Sequence, residues 1–172
     1  GGIRGNGAIS RALSEMGNSS PTPIQESVIP AVHQGKDVVG QAQTGTGKTA
    51  SFGIPIIESL DQESEGIQAL ILVPTRELAV QVRGELVKIA KYRSLKSVAI
   101  YGGQAISRQL DALRRGAHIV IATPGRLMDH MERRTIRLDK VKYLVLDEAD
   151  QMLDIGFADD IRTILRHLPR SR

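Results

Sequence analysis

Residues 143–150 read YLVLDEAD: four apolar residues followed at once by four that include three carboxylates. The apolar run is typical of a buried strand, and the carboxylates stand where that strand would end. Further upstream, the short apolar run 37–41 leads into residues 42–49, AQTGTGKT, a glycine-rich segment. Together the two stretches predict the two halves of a magnesium-nucleotide site.

The glycine-rich segment has the chemistry of a phosphate-binding loop. Between a strand and a helix, the backbone N–H groups of such a turn point at phosphate oxygens, and the helix N-terminus adds partial positive charge. Lys48 would then reach the β- and γ-phosphates, and the Thr49 hydroxyl would bind Mg²⁺. The general pattern begins with glycine, whereas Ala42 stands at that position here. The residues expected to bind the nucleotide are Ala42, Gln43, Thr44, Gly45, Thr46, Gly47, Lys48 and Thr49.

Each half of this site also has a purely structural interpretation. Glycine-rich helix starts are common, and most of them are only turns. Carboxylates at a helix N-terminus interact favourably with the helix dipole without any chemistry. Because both segments follow strand-like runs, in the order of Walker A and Walker B elements, the nucleotide site is favoured over two unrelated helix starts.

The composition is that of one globular domain of ordinary size. The chain has 172 residues, of which 41% are apolar and 24% charged, enough to bury a sizeable core. No run has the length of a membrane span, so no membrane partner is expected. The absence of cysteine excludes disulfides and thiolate metal sites and is compatible with a reducing compartment, and a cytoplasmic location is expected. The four histidines lack metal-ligand spacing and are interpreted as structural or surface residues.

The charge is distributed unevenly along the chain. Residues 76–142 carry fifteen Lys and Arg against six Asp and Glu, a balance of +9, and the remainder carries eight against thirteen, or −5. Solvated helix faces would explain this split, and so would a surface that binds a polyanion. Aromatic residues make up only 3% of the chain, so stacking of bases on aromatic side chains is not expected. If nucleic acid binds, its backbone is the expected contact.

Strand-length apolar runs alternate with helix-length amphipathic segments. The predicted strands are 37–41, 67–73, 97–101, 118–122 and 143–147, and the predicted helices are 48–60, 76–92, 105–115, 124–132 and 161–168. Strands rich in Val, Ile and Leu that are joined by helices predict a mostly parallel sheet covered on both faces. Right-handed crossovers then make the fold a three-layer α/β/α sandwich. The polar segment 61–66 is expected to be a mobile surface loop.

In such a sheet, ligands bind outside the carboxyl ends of the strands, and the distinctive short motifs of this chain fall there. The motifs are PTPIQ at 21–25, the segment 42–49, PTRELA at 74–79, GG at 102–103, TPGR at 123–126 and DEAD at 147–150. In this order they resemble the Q motif and motifs I, Ia, the Gly doublet, Ib and II of the DEAD-box RNA helicases. The resemblance covers nearly the whole chain, and Ala42 is the residue that this family usually carries at its position.

The resemblance implies an N-terminal RecA-like, P-loop NTPase domain over residues 1–172 that binds ATP and Mg²⁺. By position, Lys48 and the loop amides bind the ATP phosphates, and Thr49 with Asp147 holds Mg²⁺. Glu148 positions and activates the attacking water, a role that suits a carboxylate beside the metal. These three residues, Lys48, Asp147 and Glu148, are the expected catalytic group. Asp150 couples the site to motif III, which lies outside these 172 residues together with the C-terminal helicase domain.

Gln25 is expected to read adenine, because its amide can both donate and accept a hydrogen bond. The same segment fits a helix capping box, since Thr22 and Gln25 have the required spacing and Pro23 suits a first helical position. Both interpretations can hold together.

The resemblance also implies sequence-independent RNA binding through the backbone. The residues that match the family's RNA-facing motifs are Pro74, Thr75, Arg76, Gly102, Gly103, Thr123, Pro124, Gly125 and Arg126. Guanidinium, hydroxyl and backbone N–H groups suit phosphate, and none of them needs to read a base edge. The positive balance of residues 76–142 agrees with this expectation.

The expected function is therefore that of an ATP-dependent RNA helicase, represented here by its ATP-binding domain. The expected partners are RNA and a C-terminal RecA-like domain in the full-length protein, and the chain itself is expected to be monomeric. A non-catalytic module that binds ATP and docks RNA is the alternative. A different P-loop enzyme such as a kinase would explain Lys48 but not residues 123–126.

Overall fold

The computed structural model describes residues 26–30, 38–40 and 46–169. Its strands are β1 (Glu26–Pro30), β2 (Val38–Gly40), β3 (Ala69–Leu72), β4 (Ser97–Ile100), β5 (Ile119–Ala122) and β6 (Tyr143–Asp147). Its helices are α1 (Thr46–Ser59), α2 (Arg76–Ile89), α3 (Ile106–Arg114), α4 (Pro124–Glu132), α5 (Ala149–Ile155) and α6 (Ala158–Arg166). None of these helices combines the length and the apolar character that crossing a membrane requires.

The strands form one sheet in the order β2-β1-β6-β3-β5-β4. Strands β6, β3, β5 and β4 are mutually parallel. Strand β1 runs antiparallel to both of its neighbours, so β2 points in the same direction as β6. The mostly parallel sheet that the sequence predicts is confirmed, with β1 as the reversed strand.

Alternate residues of the central strands face opposite sides of the sheet and build two cores. On one side, Leu70 and Leu72 pack with Leu127 of α4 and with α5 and α6. On the other side, Ile71 packs with Phe52 of α1 and with α2. Because each side is covered by helices, the fold is the three-layer α/β/α sandwich that the sequence predicts.

The carboxyl ends of the parallel strands lie level with one another. Leu72 of β3 pairs with both Leu146 of β6 and Ala122 of β5, and Ala122 also pairs with Ile100 of β4. The segments after β3, β4, β5 and β6 therefore leave the sheet at one edge, where the sequence motifs were expected to meet.

The segment after the predicted capping box is a strand, which corrects the expectation of a helix there. Residues 22–25 lie outside the described residues, but residues 26–30, which such a helix would contain, form β1 instead. The β-branched residues Val28 and Ile29 favour an extended backbone, and β1 pairs with β6 along its whole length. Pairing across the sheet is a tertiary effect that a local capping pattern does not contain.

Other element boundaries differ from the prediction by a few residues. The predicted helix 161–168 begins earlier, as α6, and α5 was not predicted as a separate element.

The loop 61–66, which was expected to be mobile, is held at its start by the buried side chain of Gln68. Its Oε1 accepts from the Asp61 N–H at 3.0 Å, and its Nε2 donates to the Asp61 carbonyl at 2.7 Å.

Candidate functional site

The two halves of the predicted nucleotide site lie at the same edge of the sheet. Glu26 of β1 pairs with Gly40 at the end of β2 on one side and with Asp147 at the end of β6 on the other. Neighbouring strands are roughly 4.8 Å apart, so the ends of β2 and β6 lie within about 10 Å of each other. Helix α1 starts at Thr46, within the glycine-rich segment. The backbone thus brings the start of α1 and the acidic residues to one place.

Lys48 makes ion pairs with two carboxylates of the acidic group. Its Nζ lies 2.7 Å from Asp147 Oδ1 and donates a hydrogen bond to Glu148 Oε2. The side chains of Lys48 and Asp147 are 7% and 1% exposed, whereas that of Glu148 is 28% exposed. The three residues expected to be catalytic therefore form one cluster, open to solvent on the Glu148 side.

Glu148 has an unusual backbone conformation at the turn from strand to helix. Its φ and ψ of 57° and 52° place it in the left-handed region, which residues other than glycine, asparagine and aspartate seldom adopt. It stands between the end of β6 and the start of α5. Strained residues of this kind concentrate at functional sites, and this conformation accompanies the contact of Glu148 with Lys48.

On the pKa values of the two most buried groups of the cluster, burial and the contacts of opposite charge act in opposite directions. Burial by itself would lower the pKa of Lys48, but the contacts with Asp147 and Glu148 outweigh it and raise that pKa above its usual value. Burial raises the pKa of Asp147, and the nearby ammonium, which acts in the opposite direction, does not fully offset this. Lys48 therefore stays protonated and supplies the positive charge that the buried carboxylate needs.

The site fits a magnesium ion that is shared with a nucleotide. Among the described residues, no group of three or more His, Cys, Asp or Glu side chains could form a closed metal site. Mg²⁺ is usually held by one or two carboxylates with phosphates and waters. Asp147 Oδ1 is buried, and within the part of the chain that the structure describes its charged neighbour is the Lys48 ammonium at 2.7 Å. Such an oxygen is suited to a cation.

Thr49 and Asp150, the other expected members of this site, lie close to it in sequence and structure. Thr49 is 3% exposed and follows Lys48 in the first turns of α1. Asp150 is half-buried in the first turn of α5, where a carboxylate also interacts favourably with the helix dipole. For residues 46 and 47 only the backbone is described, and Gln25 and residues 42–45 lie outside the described residues.

The first of the three motifs expected to face RNA lies at the start of helix α2. Pro74 is buried, and Thr75 is the N-cap residue whose side chain accepts from the Leu78 N–H at 3.2 Å. Arg76 is exposed, and its guanidinium carbon lies 5.9 Å from the centre of the Tyr101 ring. Thr75 thus has a structural role as the cap of this helix.

The Gly doublet lies beside Arg76. Gly103 has a φ of +84°, which favours glycine, and a Cβ at this position would lie 3.4 Å from Arg76 Nη1. A Cβ at Gly102 would meet nothing within 4 Å. Both glycines are exposed, so the structure brings motif Ia and the Gly doublet together on one surface.

The third motif expected to face RNA lies at the start of helix α4. Thr123 is the N-cap residue and is 9% exposed, Pro124 is buried at the first helical position, and Gly125 is exposed. Arg126 is half-buried, and its Nη1 donates to the Gln104 carbonyl and to Gln109 Oε1, each at 3.1 Å. The guanidinium is therefore tied to the segment that follows the Gly doublet.

Sequence reasoning missed the buried polar residues behind this surface. Gln109 is 2% exposed, and it contacts Gln104, Arg126 and His130. His130 is fully buried, which confirms its structural interpretation, and burial together with the charge of Arg126 lowers its pKa. The sequence did contain a signal that Gln109 is buried. Gln109 stands three residues after Ile106 in α3, on the stripe where an amphipathic helix carries apolar residues.

The comparisons with known proteins agree with this geometry. Residues 22–172 match the family model described as DEAD/DEAH box helicase. The chain is 54% identical over 164 residues to the ATP-dependent RNA helicase CshA of Listeria monocytogenes, covering 95% of this chain and 32% of that protein. It is also 54% identical over 159 residues to the DEAD-box ATP-dependent RNA helicase CshA of Bacillus subtilis, covering 92% of this chain and 32% of that protein.

Two solved structures share the fold. A DEAD box protein from the hyperthermophile Methanococcus jannaschii superposes with a TM-score of 0.70 at 50% identity, over 76% of this chain and 36% of that chain. The yeast DEAD-box splicing factor Prp28 superposes with a TM-score of 0.67 at 35% identity, over 77% of this chain and 34% of that chain. The chain thus spans about a third of the length of these relatives. With its ordered motifs, its sheet and its lysine–carboxylate cluster, the chain belongs to the DEAD/DEAH box helicase family.

Proposed function

We propose that this chain is the ATP-binding N-terminal domain of an ATP-dependent RNA helicase. The observation that carries the proposal is the cluster of Lys48, Asp147 and Glu148 at the sheet edge from which the three RNA-facing motifs also project. Relatives that align with nearly the whole chain are named ATP-dependent RNA helicases, which supports the same activity for the protein that contains it.

Each member of the cluster has a distinct role with ATP. The phosphates take the ammonium of Lys48 away from the carboxylates, because they offer it more negative charge at the start of α1. Asp147 and Thr49 would hold Mg²⁺, which would supply positive charge to the phosphates of ATP. Glu148 is the most exposed of the three side chains of the cluster, so it can orient the attacking water and accept its proton. Gln25 selects adenine by hydrogen bonds of its amide.

RNA binds through its backbone to the surface formed by the three motifs. Arg76 and Arg126 offer guanidinium groups, while Gly103 and Gly125 leave room for a phosphate to approach the backbone. The residues of this surface read no base edge, so the binding is indifferent to sequence and falls steeply with salt.

A non-catalytic role for the isolated chain is the second candidate, and the placement of two arginines favours it. Cleavage of ATP needs positive charge on the transferred phosphoryl group beyond that of the P-loop. Arg76 lies over Tyr101, and Arg126 is bonded to Gln104 and Gln109, so both are held at the RNA-facing surface. We therefore propose that a C-terminal RecA-like domain completes the site, with Asp150 coupling the two domains.

Single-turnover ATP hydrolysis tests these proposals. This chain alone should bind Mg²⁺-ADP but hydrolyse ATP slowly with or without RNA, because arginines from outside a P-loop domain contribute a factor of roughly 10³–10⁵. A longer chain that includes the C-terminal domain should hydrolyse ATP with RNA stimulation and unwind a duplex, and Glu148→Gln should abolish both. Fast RNA-stimulated turnover by the 172 residues alone would show that closure of a second domain is not required.

The remaining proposals concern the cellular location and the oligomeric state of the protein. We propose a cytoplasmic location. The lack of cysteine is compatible with it, because disulfides are rare in that reducing compartment. We also propose that the isolated chain is a monomer, which its elution volume in size-exclusion chromatography would test.

A further inference from the structure

Gln109 is a neutral polar side chain that the proposed function leaves without a role. It lies in α3 and is 2% exposed, on the face of the helix that packs against the sheet. An amide buried in this way is costly unless all of its hydrogen-bonding groups are satisfied.

All four hydrogen bonds of this amide are made. Its Nε2 donates to the Tyr101 carbonyl at 2.7 Å and to Gln104 Oε1 at 2.9 Å. Its Oε1 accepts from Arg126 Nη1 at 3.1 Å and lies 3.0 Å from His130 Nε2, which must therefore carry its proton. The two donors bond to the segment that contains the Gly doublet, and the two acceptor positions bond to α4.

The amide thus links two of the three RNA-facing motifs. Tyr101 and Gln104 flank Gly102 and Gly103, and Arg126 belongs to the motif at the start of α4. Arg126 Nη1 is shared between Gln109 Oε1 and the Gln104 carbonyl. Within the described part of the chain, the Nε and Nη2 groups of Arg126 make no hydrogen bond, so they remain for a ligand. A guanidinium held at one nitrogen in this way presents the others in a fixed direction.

We propose that Gln109 is a positioning residue for RNA-backbone binding, whose buried amide locks the Gly doublet and the Arg126 guanidinium into one preformed phosphate-binding surface. The inference rests on the proposed RNA binding. Its physical reason is that a surface ordered in advance does not lose side-chain and loop freedom when the phosphate arrives. Without the amide, the Arg126 guanidinium keeps its charge but is no longer held in one orientation.

The test is binding of a fluorescein-labelled oligouridine RNA to this chain at low salt, measured by fluorescence anisotropy. Gln109→Met keeps the volume and removes every hydrogen bond of the amide. We expect it to weaken RNA binding about 5- to 30-fold. If Gln109 acts through Arg126, the double variant with Arg126→Ala should bind within about twofold of Arg126→Ala alone, since residues that act as a unit are not additive.

Gln68→Met is the matched control for loss of a buried amide. Gln68 is 1% exposed and holds a loop by two hydrogen bonds to Asp61, outside the RNA-facing motifs. It should lose stability as Gln109→Met does and keep wild-type RNA affinity. Both variants should bind Mg²⁺-ADP as the wild type does.

Gln109→Glu is a second variant that preserves the shape of the side chain. Its carboxylate would neutralise Arg126, so the dependence of log K on log salt should become shallower by about one unit. Wild-type affinity and salt slope in both Gln109 variants would overturn the role assigned to Gln109, and so would losses that multiply in the double variant. Neither result would overturn the proposed function. Absence of RNA binding by the wild-type chain at low salt would overturn the proposed function and this inference with it.

Discussion

Replacement of Lys48 by methionine should destabilise the protein as well as weaken nucleotide binding. In the structure the ammonium lies 2.7 Å from Asp147 Oδ1, and Asp147 is 1% exposed. Removing one partner of a buried ion pair costs about 3–5 kcal/mol when the other charge is left unpaired. Because Glu148 is partly solvated and can move outward, we expect the lower end of this range, about 3 kcal/mol at pH 8.

The loss should depend on pH with a definite sign. Without Lys48, burial leaves the pKa of Asp147 above its value in the unfolded chain, so the folded variant binds the proton more tightly. Its stability should therefore be greatest at low pH and fall as the pH rises through the folded pKa of Asp147. Relative to wild type, Lys48→Met should recover stability as the pH falls through the folded pKa of Asp147.

Urea denaturation at pH 8 and pH 5, together with calorimetry of Mg²⁺-ADP binding, would measure both effects. The double variant Lys48→Met/Asp147→Asn removes both charges and should regain much of the stability without regaining nucleotide affinity. A Lys48→Met protein that is as stable as wild type at both pH values would refute the ion pair. Unchanged affinity for Mg²⁺-ADP would refute the phosphate-binding loop.

Two further predictions concern the surface proposed to bind RNA. Arg126→Ala should weaken binding of uridine-rich and cytidine-rich oligonucleotides by the same factor. It should also make the slope of log K against log salt shallower by about one unit, because one phosphate contact is lost. A base-specific loss at constant slope in anisotropy titrations would contradict this. His130, whose pKa is lowered by burial and by Arg126, should contribute stability above its unfolded pKa that is lost as the pH falls below it. His130→Gln should then show a flatter dependence of the urea midpoint on pH between about 7.5 and 5.5, and parallel curves for the two proteins would count against a neutral His130.

Much of the fold could be predicted because the local pattern and the tertiary structure agree. Apolar runs such as residues 67–73 and 143–147 became central strands buried on both faces, and the helices between them kept their predicted positions within a few residues. The exception is the segment after Gln25, where a helix-capping pattern is followed by strand β1. Its conformation depends on pairing with β6, which lies more than a hundred residues further along the chain.

The sequence by itself determined which chemistry to expect at the site, because motif order and residue type are typical of phosphate-binding and metal-binding groups. Only the tertiary structure showed that Lys48 pairs with Asp147 and Glu148, and that Glu148 adopts a left-handed conformation at the turn. Likewise, nothing in the spacing of Gln109, Arg126 and His130 indicates that one buried amide joins them. Such contacts join residues that are distant in the chain, and their distances and burial are set by how strands and helices pack, which a linear pattern does not contain.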